Sequence, residues 1–96
     1  MEVKEAVSKA KNYAMALFSE DGAIDFALEE VEHDRARSFW LITLSFRRRR
    51  APSDGEMGKL GIALEQLGPR YSKIVKVDNS TGEILSVTNR ERGLAA

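Results

Sequence analysis

Few residues in this chain are of types that do chemistry: one histidine, His33; an acidic run of Glu29, Glu30, Glu32 and Asp34; and the basic run Arg47-Arg48-Arg49-Arg50, preceded by Arg35 and Arg37. Nucleophilic catalysis needs a base within reach of a serine or cysteine. There is no cysteine and no Gly-x-Ser-x-Gly elbow, and His33 falls in the short polar stretch HDRAR, which reads as an exposed turn. No catalytic residue is assigned, and an enzyme is not expected. In a strand, Glu29 points away from Glu30 and Glu32, and oxygen-only metal sites favour loop geometry, so the acids read as a solvated strand end. One histidine without cysteines cannot build a thiolate or histidine-rich centre. Gly55, Gly58 and Gly61 lack the Lys-Ser/Thr ending of a phosphate loop. The expectation is no metal, no nucleotide and no cofactor.

The arginines raise the question of nucleic acid. Fifteen basic residues balance fifteen acidic ones, so any electrostatic case must rest on where the charges lie. The first 34 residues hold nine acids against three lysines, whereas residues 35–50 hold six arginines and no acid. In a strand, Arg47 and Arg49 leave one face while Arg48 and Arg50 leave the other, so no continuous basic stripe forms. Glu20, Asp21 and Asp25 lie near the same end of the predicted sheet and offset the charge. Aromatic stacking positions do not interleave with the arginines as on a single-strand binding platform. Nucleic-acid contact through Arg35, Arg37, Arg47, Arg48, Arg49 and Arg50 is therefore the alternative reading rather than the first.

These residues must be positioned by one small domain spanning residues 1–96, because a chain this short buries only about 60–65% of its unfolded surface in a single core. A hydrophobic content of 43% and a charged content of 31% are ordinary for a globular chain. The N-terminal stretch has no continuous apolar h-region, and no run reaches the roughly 18 apolar residues of a membrane span. The expected setting is cytoplasmic, with no membrane contact.

Val3, Ala6, Val7, Ala10, Tyr13, Ala14, Leu17 and Phe18 recur at spacings of three and four, which predicts a helix over residues 2–19. Gly22 supplies the exit. From Ile24 the spacing falls to two: Ile24, Phe26 and Leu28 form one apolar row, and Trp40, Ile42, Leu44 and Phe46 another. An antiparallel hairpin that pairs Leu28 with Ile42, Phe26 with Leu44 and Ile24 with Phe46 superposes the two rows. Residues 51–68 are a connection read as a mobile loop or a short helix, since Ser53 and Glu56 fit a capping box while Gly58 and Gly61 weaken it. Tyr71–Val77 and Ile84–Val87 form a second hairpin around Asp78-Asn79-Ser80-Thr81-Gly82, and residues 91–96 are a frayed tail. The predicted fold is α+β: an N-terminal helix packed on a four-stranded antiparallel sheet, in the order α-β-β-connection-β-β. Leu17, Phe26, Trp40, Ile42, Leu44 and Val75 are expected to be buried.

The closing stretch VDNSTGEILSV, Val77–Val87, resembles the terminal hairpin of PepSY-type domains, in which an apolar strand leads through Asp and a turn ending Thr-Gly-Glu into Val/Ile-Leu-Ser. Val77, Asp78, Thr81, Gly82, Glu83, Ile84 and Leu85 carry the match. The resemblance implies a cystatin-like α+β fold and a non-catalytic module that accompanies or restrains a peptidase. The chain lacks the Gln-x-Val-x-Gly segment with which cystatins enter cysteine proteases.

Parity puts Trp40 in the core and Phe39, Leu41 and Thr43 on the opposite face of the same strand. If that face is open, these three form the candidate protein interface. The expected function is a small non-enzymatic protein-binding module whose partner is another protein or a second copy of itself.

Overall fold

The change of spacing at Gly22 is where the chain turns. In the computed structural model, which describes residues 1–48 and 69–90, a helix α1 (Val3–Phe18) ends in a single 3-10 turn at Ser19–Asp21. Gly22, at φ 82°, takes the left-handed conformation that closes the turn, its N–H donating to the Ser19 carbonyl. Four strands follow: β1 (Ala23–Asp34), β2 (Phe39–Arg48), β3 (Tyr71–Asp78) and β4 (Ile84–Asn89). They pair antiparallel in the order β1-β2-β3-β4, so β1 and β4 are the edges. The fold is the α+β arrangement the sequence predicts. Residues 51–68, Arg49, Arg50 and the 91–96 tail lie outside the described residues.

Helix α1 covers one face of the sheet through its smallest side chains. Ala6, Ala10 and Ala14 are buried to within 1% and pack with Trp40, Ile42, Leu44, Val75 and Val77. Beyond the last of these alanines, Phe18 stacks on Phe46 at 5.2 Å, and Phe26 meets Phe46 at the same distance. Leu17, expected in the core, is 47% exposed: it continues the alanine line but stands in the last turn of α1, past the alanines that make the core contact. Phe26 is half-buried, and Trp40, Ile42, Leu44 and Val75 are buried as predicted.

The first hairpin has a different register from the expected one. Leu28 faces Leu44, Val31 faces Ile42 and Ile24 faces Arg47, because β1 carries irregularities between Ile24 and Ala27 and between Leu28 and Glu30. Asp25, at the first of them, has a left-handed φ of 57°. Each bulge inserts a residue and resets which face the following side chains take. The strand also runs longer than predicted. His33 is in β1, half-buried and stacked on Trp40 with ring centroids 4.0 Å apart, so it is not an exposed turn residue.

The second hairpin closes as its turn residues dictate. The Asp78 carboxylate accepts the N–H groups of Ser80 and Thr81, both at 2.8 Å, and Gly82 sits at φ 77° with its N–H on the Asp78 carbonyl. The Thr81 and then the Ser80 N–H hold the Asp78 carboxyl below its ordinary value. Asn79 joins the two hairpin ends. Its N–H donates to the Ser38 carbonyl at 3.0 Å, and its side-chain oxygen accepts the Trp40 indole N–H at 2.8 Å.

Candidate functional site

Phe39, Leu41, Thr43 and Ser45 lie on the face of β2 turned away from α1, as parity predicts. They do not form an open apolar patch: Phe39, Thr43 and Ser45 are buried and Leu41 is half-buried. Part of the cover comes from long polar side chains of neighbouring strands. The Lys76 ammonium sits 4.6 Å from the centre of the Phe39 ring, and the Ser45 hydroxyl donates to Glu29 at 2.5 Å. Arg90, just past β4, reaches Glu30 on β1 at 3.5 Å. The second bulge explains why Glu29 shares this face with Glu30 instead of opposing it.

Arg35 and Arg37 on one hand and Arg47 and Arg48 on the other lie at opposite ends of β2. Arg35 and Arg37 are exposed in the β1–β2 turn, where the Arg37 N–H is tied to the Asp34 carboxylate at 3.0 Å. Arg47 and Arg48 are at the far end, about 30 Å away along a ten-residue strand. Arg47 pairs with Asp25 at 3.8 Å, and Arg70 forks onto the Asp25 carbonyl at 2.9 and 3.0 Å as well as its carboxylate. The Arg48 guanidinium lies over Phe46 and Tyr71, at 5.9 and 5.2 Å from the ring centres. Arg47 and Arg48 thus depart in different directions, and both are engaged by their own chain.

The recess that is open lies elsewhere, between α1 and the edge strand β1. Val3, Val7 and Lys11 on the helix face Leu28 and Val31 across one hollow. Lys11, Met15 and Ala16 face Ala23, Ile24 and Phe26 across the next. The two hollows adjoin at Lys11, one after the other beside β1. Val3, Met15 and Leu28 are 44–45% exposed there. The alanine methyl groups make the helix–sheet contact, and Val7, Lys11 and Met15 lie on the side of the helix toward β1.

Among the described residues no strand pairs with the outer side of β1, so backbone N–H and C=O groups line the groove's open margin. The sequence carries a signal for this groove that parity arguments pass over. Ala6, Ala10 and Ala14 at i, i+4 and i+8 mark the true contact line, and Val7, Lys11 and Met15 stand to one side of it.

Within the described residues no helix is long and apolar enough to cross a membrane, and no group of three or more histidine, aspartate or glutamate side chains is placed to hold a metal ion. Comparison of the chain with family models, with curated proteins and with solved structures finds no match.

Proposed function

We propose that this protein is a small non-enzymatic module that binds another protein through the groove between α1 and β1. One observation carries the reading: two adjoining, mainly apolar hollows, walled by exposed Val3, Met15 and Leu28, run alongside a strand with no neighbour on its outer side among the described residues. Apolar area of this kind, rimmed by polar groups, marks an interaction surface. The chain's only histidine is spent on packing against Trp40, which favours binding over catalysis. The likeness of the Val77–Val87 hairpin to PepSY-type domains makes a peptidase the first partner class to try. With no cysteine the chain gains nothing from an oxidising compartment, and we assign it to the cytoplasm on that ground.

The test is site-specific photocrosslinking in cells that make the protein naturally, with a photoreactive side chain at Leu28 and, as a control, at exposed Thr88 on β4. A discrete protein adduct from Leu28, absent from Thr88 and lost on Val3→Asp substitution, is the expected result. Adducts of equal strength from both positions, or none from Leu28, would overturn the assignment of the groove.

A further inference from the structure

We infer that the occupant of the groove is an extended segment of the partner chain, added as a further strand to the edge of β1 that has no neighbour among the described residues, with apolar and basic side chains in alternation. The inference rests on the groove being the binding site. It adds the conformation and the chemistry of what binds there.

The conformation follows from the edge. A strand laid against the outer side of β1 satisfies its open backbone groups and carries its side chains alternately above and below the sheet. On the helix side, it meets Leu28 and Val31, which share a face with Leu44 and Ile42, together with Val3 and Val7 of α1. On the other side it meets Glu30 and Glu32, which pair with Thr43 and Leu41. Cross-strand neighbours of one sheet face sit about 5 Å apart, so each row of the incoming segment is selected by the β1 row it touches.

The chemistry follows from charge. β1 contains Asp25, Glu29, Glu30, Glu32 and Asp34 and no lysine or arginine. Some of these acids are answered within the chain: Asp25 by Arg47 and Arg70, and Glu30 by Arg90 at 3.5 Å. Glu32 is exposed and has no ion-pair partner among the described residues. A second copy of this chain, paired β1 to β1, would set two such acidic rows side by side, and like charges across strands are destabilising. The same acids keep the edge from pairing with itself and leave it selective for a basic strand.

The probes are capped octapeptides: alternating valine and lysine, alternating valine and glutamate, and the valine–lysine peptide with every second backbone nitrogen methylated. Backbone amide shifts of the whole protein locate the binding. The expected result is that the valine–lysine peptide moves the amides of Leu28–Glu32 together with Val3 and Val7. Its affinity should be at least tenfold higher than that of the valine–glutamate peptide, and N-methylation should remove it. The double substitution E30K/E32K should reverse the preference between the two charged peptides. Glu32→Gln, a milder change, should narrow the gap if the double variant is poorly folded.

Equal binding of both charged peptides at Leu28–Glu32, or unchanged binding after N-methylation, would overturn the inference while leaving the groove as the site. Shifts confined to other acidic surfaces, no binding of any peptide, or a stable dimer that buries Leu28 would also overturn it; the Leu28 crosslink then decides the groove separately.

Discussion

Trp40 gathers more contacts of different kinds than any other side chain of the second strand. It packs into the core with Ile42 and Leu44, stacks against His33 and donates its indole N–H to Asn79. Trp40→Ala should therefore cost about 3–5 kcal/mol through the cavity it leaves, measured by urea denaturation; a loss below about 1 kcal/mol would mean the site collapses around the gap. Asp78 gives a second residue-level expectation, with a sign that can be worked out. Its carboxyl is held low by the Thr81 and Ser80 N–H groups, so its contribution is present above the unfolded value and is lost as pH falls through the lower folded one. Thermal melts should show wild type above Asp78→Asn by a constant margin well above the ordinary carboxyl value of 3.8, the margin closing as pH falls below it. A margin that is independent of pH would show that the charge of Asp78 is immaterial. Parity within an unbroken strand made Trp40 legible in the sequence, and Asp-Asn-Ser-Thr-Gly chemistry did the same for the turn. His33 was not legible, because what keeps it in β1 is a stacking partner seven residues away across the hairpin.

At the scale of elements, the helix and all four strands follow from the spacing of apolar residues, while the pairing of β1 does not. Ile24, Phe26 and Leu28 alternate as cleanly as an unbroken strand would, yet irregularities on either side of Ala27 and Leu28 shift the partners that follow. Nothing local signals them, since Asp25 in a left-handed conformation is held by Arg47 and Arg70, residues more than twenty positions away. The same contacts settle what the arginine run is worth to stability. Replacing Arg47, Arg48, Arg49 and Arg50 with serine should cost about 1–2 kcal/mol, because Arg47 loses Asp25 and Arg48 loses its seat on Phe46 and Tyr71. Wild type should bind neither duplex nor single-stranded nucleic acid measurably at about 150 mM salt, in an assay of affinity against log salt. Micromolar binding under those conditions, lost in the quadruple variant, would move nucleic acid ahead of a protein partner. Separation of Arg35 and Arg37 from Arg47 and Arg48, at the two ends of β2, is the reason to expect otherwise.

At the scale of the molecule, the described residues place one helix on four strands, a two-layer body with two unlike margins. The β4 margin is short, six residues, and the β1 margin is twelve residues long, acidic and bordered by the groove. The architecture was legible because a sheet with one apolar face needs cover and α1 was the long amphipathic segment available for it. The groove was not, since the eight apolar positions of α1 read as one stripe and the sequence does not say which of them touch. That distinction reaches further than the packing of a core. Ala6, Ala10 and Ala14 act as shims: their methyl groups fix the gap between the layers, and so the aperture beside β1. A methylene or two added at Ala6 would wedge one end of the gap and at Ala14 the other, at a cost of about 1–3 kcal/mol for overpacking. The width and taper of the opening can thus be retuned from positions inside the core, while the residues lining the recess stay as they are.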